Sequence, residues 1–177
     1  TASPFGTKTT MVPNEENYSV NWSANDAISV NGVASSSIEI AADNAKSATF
    51  TVSGVEAPCC AVYPAAVASD FDANSATVTL PATQKYVEGS FDPAASVMLG
   101  YMEEEGELAF SHAMAYLYLT INTVDDYDND NIKTVTVKSL GTEPMSGVAI
   151  ANQLIFVFNL CIFGGTAEEN SRSHSKQ

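Results

Sequence analysis

The feature that most constrains this chain is a recurrence of short β-type runs separated by turn residues. The runs are AISV (27–30), SIEI (37–40), SATFTV (47–52), CCAVY (59–63), ATVTL (76–80), ASVMLGYM (95–102), AMAYLYLTI (113–121) and IKTVTV (132–137). NG, SG, DAN, EGSFDP and DDYDNDN lie between them, and these are combinations that tolerate tight turns. No stretch shows a 3.6-residue apolar period long enough for a 12-residue helix. The runs alternate: Ala48, Phe50 and Val52 share one face against Thr49 and Thr51, and Val135 and Val137 oppose Thr134 and Thr136. AMAYLYLTI has no wet side and reads as a central strand. The pattern predicts an all-β fold, an antiparallel sandwich with Greek-key connections.

Charge decides which partners such a fold can have. With 21 acidic and 7 basic residues the formal net charge is −14, which repels phosphate backbones and anionic headgroups. Neither nucleic acid nor an electrostatic membrane surface is expected. Hydrophobic residues make up 45 % of the 177 positions, enough for one domain with a real core. Residues 1–20 read as a lead-in segment with one edge strand near MVPNEENYSV, order begins around Trp22, and residues 21–147 read as the β-domain. The apolar run over 148–163 is broken by Asn152, Gln153 and Asn159 and is shorter than a membrane span. It is expected as one or two buried strands plugging an open edge, ahead of a polar tail to residue 177.

Candidate chemistry is sparse. Ser111 and His112 are sequence neighbours on a strand, so their side chains point to opposite faces and cannot form a nucleophile–base pair. His112 is read as a hydrogen-bonded structural imidazole at the edge of the core. Asp125, Asp126, Asp128 and Asp130 have the spacing that opens a calcium loop, but with Asp126 first, Asn131 stands where glycine is needed and Val137 where the bidentate glutamate is needed. A solvated hairpin loop is the expectation. Glu103, Glu104, Glu105 and Glu107 around Gly106 read as a charged turn, too solvated for split acid–base pKa values. Cys59, Cys60 and Cys161 match no zinc spacing, and adjacent Cys59 and Cys60 would face opposite sides of a strand, so buried thiols are expected. Trp22, Phe50, Tyr63, Phe71 and Phe110 could line a sugar platform, although core packing is the better reading for a lone tryptophan. No catalytic, cofactor-binding or metal-binding residue is assigned.

Read in order, the segments TKTT, VNWSANDAISVNG, ATFTVSG, AVYPAA, TVTLPATQKYVEGSFDPAASVMLGY, LAFSHAMAYLYLTI and IKTVTVKSLGTEPMSG resemble one family. The resemblance is to the N-terminal domain of the fimbrillin-like proteins of Bacteroidetes, over about residues 7–147. It rests on Trp22 with Asp26, Ile28 and Val30; on Tyr63 and Pro64; on Pro81 and Gln84; and on Phe91, Asp92, Met98, Leu108, Phe110 and His112. It implies a transthyretin-like sandwich and a non-catalytic structural or adhesive role as a fimbrial subunit. It also implies export as a lipoprotein to the outer surface, by a signal upstream of Thr1. The implied partners are other subunits, joined by strand addition, or a surface receptor. A carbohydrate-binding module of a surface glycan-handling system is the alternative. Members of the family continue into a second β-domain, which the apolar run after Gly147 does not resemble.

Overall fold

The computed structural model describes residues 10–14, 17–72, 74–87, 90–120, 133–142, 144–152 and 160–165. These residues are mostly strand, in largely antiparallel sheets, as the two-residue period predicts. Fourteen strands occur among them, β1 to β14 in chain order.

A five-stranded sheet carries the architecture, in the order β11-β10-β7-β3-β4: Ala109–His112, Met98–Met102, Cys59–Tyr63, Ser29–Val30 and Val33–Ala34. Its centre is β7, and every residue from Cys59 to Tyr63 is buried. The reason is that both faces of this sheet are covered. Cys60 and Val62 meet Ala76, Val78 and Leu80 of β9 (Ser75–Leu80) and Ala151 of β13 (Gly147–Asn152). Cys59, Ala61 and Tyr63 face the other way, towards Ile28, Val30, Trp22 and Phe50. A strand wet on neither side reads as a continuous apolar run, which is what CCAVY is.

On the first face lies a three-stranded sheet, β13-β9-β8, with β8 at Ala68–Asp72. On the second lies only a hairpin, β5 (Ser37–Ile40) with β6 (Ala48–Thr51), whose burial alternates so that Ile38, Ile40, Ala48 and Phe50 turn inward. The turn between β3 and β4 uses Asn31 and Gly32, both at positive φ (47° and 87°), the geometry that a two-residue hairpin of the right twist requires. Asn31 also ties this turn to β7: its Oδ1 accepts from the Cys60 N–H at 2.9 Å and its Nδ2 donates to the Pro58 carbonyl at 3.2 Å.

Ordered chain begins earlier than Trp22. β1 (Thr10–Asn14) and β2 (Asn17–Asn21) form a hairpin, so the single edge strand expected there is a pair. The run 95–102 opens with a 3₁₀ turn, Pro93–Ala95, because the Asp92 carboxylate accepts from the Ala94 N–H and fixes a helical start.

Two expectations are corrected. Residues 133–139 form no strand and are exposed throughout, with Val135 at 47 % and Val137 at 37 %. Alternating Val and Thr suits a ladder, but a strand needs a partner edge, and none of the described residues supplies one. The run over 148–163 does supply strands, β13 and β14 (Leu160–Gly165), yet it is not uniformly buried: Val148 and Ile150 are 73 % and 66 % exposed. β13 is an edge strand that presents only one face, through Ala149 and Ala151, to the core. Residues 153–159 lie outside the described residues. AMAYLYLTI, expected as a central strand, gives β12 (Ala115–Thr120), which among the described strands pairs with β14 alone, has Ala115 exposed, and pairs in parallel, an exception to the antiparallel expectation. Among the described residues no helix is long and apolar enough to cross a membrane.

Candidate functional site

Because the hairpin β5–β6 covers the second face only in part, a half-open cleft of about 850 Å³ remains between it and the five-stranded sheet. Ile28, Val30, Met98 and Met102 line its floor, Ile40, Ala48 and Phe50 its hairpin wall, and Leu108, Phe110 and His112 its other side. Glu39, Lys46 and Glu107 stand among the lining residues. β11, which contributes Ala109, Phe110 and His112, is the last strand of its sheet and pairs only with β10 among the described strands. The cleft is therefore bordered by a row of backbone groups that no described strand has paired.

Trp22 closes one end. Its ring meets Phe50, Tyr63 and Phe110 edge-on, with centroids 5.0, 5.3 and 5.6 Å away, and its Nε1–H donates to the Lys46 carbonyl at 3.0 Å. An indole held edge-on against three rings is a packing hub, and Trp22 is part-buried at the margin of the cleft. Phe71 packs on the opposite core, so the five aromatics considered for a platform do not share a surface. Tyr86 is a strongly exposed aromatic, at 68 %, and does not line the cleft.

Under Trp22, Asp26 is 3 % exposed, with one carboxylate oxygen accepting from the Tyr63 hydroxyl at 2.9 Å and the other from the Ser23 N–H at 2.8 Å. Asp92 likewise accepts from the backbone of Lys85 and Ala94. Both carboxylates organise loops. A buried acid that bonds backbone has no sequence signature of its own.

His112 sits at the rim with Nδ1 2.9 Å from the Tyr116 hydroxyl, which is 2.7 Å from the Ser96 hydroxyl. Burial holds its pKa below the ordinary 6.5, so the imidazole is neutral near pH 7. Ser96 is fully buried, so this Ser–Tyr–His chain joins β11, β12 and the turn after Asp92 instead of presenting a nucleophile to solvent. Ser111 is exposed while His112 is part-buried, which places them on opposite faces of β11 as the strand geometry requires. Gly100 lies across the ladder from Phe110, whose ring would stand 3.4 Å from any Cβ built there.

Cys59 and Cys60 are buried free thiols on opposite faces, and burial raises the pKa of both. The side chain of Cys161 and the cluster Asp125, Asp126, Asp128 and Asp130 lie outside what the structure describes. Among the described residues no group of three His, Cys, Asp or Glu side chains is placed to hold a metal ion. Glu103, Glu104, Glu105 and Glu107 form the exposed link from β10 to β11, and Glu107 faces the cleft. Comparison with protein-family models, with curated proteins and with solved structures gives no match.

Proposed function

We propose that this chain is a non-catalytic, structural or adhesive cell-surface subunit of the fimbrillin-like kind, exported to the outer surface, that engages partners through sheet edges. The observation that carries the reading is the cleft beside the edge of β11, which no described strand pairs. An extended segment laid there would gain ladder hydrogen bonds from the edge and bury alternate side chains against Met98, Met102, Phe50 and Phe110. The crossovers that bring β3, β7 and β10 side by side support a Greek-key, transthyretin-like arrangement as the framework. The placement of Phe71 on the opposite core from Trp22, Phe50, Tyr63 and Phe110 weighs against the carbohydrate-binding alternative.

The test is calorimetric titration with a short extended peptide of alternating apolar and polar residues. One-to-one binding is expected, and it should be lost when Ala48→Trp fills the cleft from its hairpin wall. No binding by the unaltered chain would contradict the reading. Surface placement is tested separately by protease shaving of intact cells, which should remove the protein. Protection equal to that of an internal protein would contradict export.

A further inference from the structure

The ladder between β10 and β11 sets two soft donors side by side. Met98 stands directly opposite His112, which puts their Cβ atoms about 4.5–5.5 Å apart on one face of the sheet. Both side chains line the cleft, and Met98 also packs with Ile28, Val30 and Phe50. The imidazole Nδ1 is engaged by the Tyr116 hydroxyl, whereas Nε2 has no hydrogen-bond partner among the described residues. No buried side-chain nitrogen among those residues lacks a partner, so Nε2 is open to the cleft. We propose that Met98 Sδ and His112 Nε2 form a two-donor site for a soft monovalent cation of the copper(I) or silver(I) class.

The donor set selects the ion. A thioether is a soft, uncharged ligand that suits copper(I), and imidazole is a good copper ligand as well. Two donors satisfy a filled-shell monovalent ion, which accepts near-linear coordination. Zinc needs at least three protein ligands, and no third His, Cys, Asp or Glu converges here among the described residues. With bonds of roughly 2 Å to each donor, the ion spans about 4 Å, a gap that opposite residues of a ladder reach without backbone movement. The three rotatable bonds of methionine let Sδ settle at that distance. Behind the imidazole, Nδ1 keeps its proton in the metal-bound form and donates it to the Tyr116 oxygen, while Ser96 Oγ, 2.7 Å away, accepts the Tyr116 proton. That relay orients the ring and fixes the tautomer whose Nε2 lone pair faces the cleft. Burial keeps the imidazole neutral near pH 7, so no proton competes for Nε2. Cys59 lines the cleft too, opposite Met102, but it is only 1 % exposed and burial holds it as the thiol, whereas the thiolate is the ligand form. Glu39 and Glu107 in the lining, on a chain of net charge −14, raise the local concentration of any cation.

The site does not depend on the reading of the cleft as a strand acceptor, and its failure leaves peptide binding by the metal-free chain untouched. The experiment titrates silver nitrate into the full, reduced chain, labelled with carbon-13 in its methionine methyl groups, in chloride-free buffer. Silver is added past the amount that the three cysteines can hold, and the signals are followed by nuclear magnetic resonance. The Met98 methyl and the His112 ring protons should shift together in one saturable step. Met98→Leu conserves volume and should abolish the His112 shift. His112→Gln should abolish the Met98 shift. Tyr116→Phe keeps both donors but removes the group that orients the ring, and should weaken binding about 10–100-fold. Silver held by thiols alone, with the Met98 and His112 signals unmoved at saturation, overturns the proposal. So does a His112 shift that survives Met98→Leu at the same silver concentration, because the ring would then bind without its partner. Binding as tight in Tyr116→Phe as in the parent would overturn the orienting role of Tyr116.

Discussion

Single residues hold the two faces of the central sheet together, and His112 shows how. Its Nδ1 receives or returns the proton of a hydroxyl chain that runs through Tyr116 to the buried Ser96. Removing it leaves a part-buried hydroxyl without that partner, a loss of about 1–3 kcal/mol. His112→Ala should therefore lower the melting temperature, read by calorimetry, and Tyr116→Phe should cost a similar amount. Because burial lowers the folded-state pKa, the stability that depends on neutral His112 is present above about pH 6.5 and is lost as pH falls from there through the lowered folded value. The difference in stability between the parent and His112→Gln should shrink between pH 7.5 and pH 5.5. A constant difference across that range would mean that the imidazole titrates equally in both states. At Gly100, an added methyl group would meet the side chains of Leu108 and Phe110 at 3.4 Å, ordinary van der Waals contact, so Gly100→Ala should change stability by less than about 1 kcal/mol in a denaturant titration. The thiols have the opposite sign to the imidazole: their raised pKa values make the stability of neutral Cys59 and Cys60 fully present below pH 9 and lost as pH rises through the folded values.

Among the elements, the strands that the sequence revealed best were those whose two faces differ or are both buried. SIEI and CCAVY match β5 and β7 end for end, and ATVTL falls within β9. SATFTV loses a residue at each end, and AISV shrinks to Ser29–Val30. There the Ile28 N–H is taken by the Ser35 hydroxyl and the Asp26 N–H by the Ser23 carbonyl, loop bonds invisible to periodicity. The short strands β4 and β8 carry too few alternations to be read. KTVTVK has the pattern of a strand and forms none, because pattern reports what a segment can pair as, not whether an edge is waiting for it. The apolar run at the end of the chain was read as buried because of its composition, whereas β13 alternates Val148 and Ile150 outward with Ala149 and Ala151 inward. Replacing Val148 and Ile150 by threonine should leave stability within about 0.5 kcal/mol, whereas Ala151→Asp, at a fully buried site, should unfold the chain. Equal effects of the two changes in a chemical-denaturation series would contradict the assigned faces.

Across the whole molecule, the central sheet is covered by three strands on one side and by two on the other, and the cleft is the consequence of that imbalance. The sequence disclosed the ingredients: an all-β chain, acidic and poor in candidate catalytic groups, with its one histidine of the β-domain on a strand. It did not disclose the cleft, because a gap between layers depends on which strands lie side by side, and no local pattern encodes that order. Asp26, Tyr63, Phe91 and Asp92 are buried and Trp22 and Phe110 part-buried, burial that no local pattern announces for an aspartate. The central claim is that the edge of β11 and the adjoining cleft accept an extended segment. Backbone amide hydrogen exchange of residues 109–112, with and without a saturating extended peptide of alternating apolar and polar residues, tests it most directly. The account predicts slowed exchange in β11 and no change in β8 or β13; unchanged exchange in β11 at saturation would contradict it.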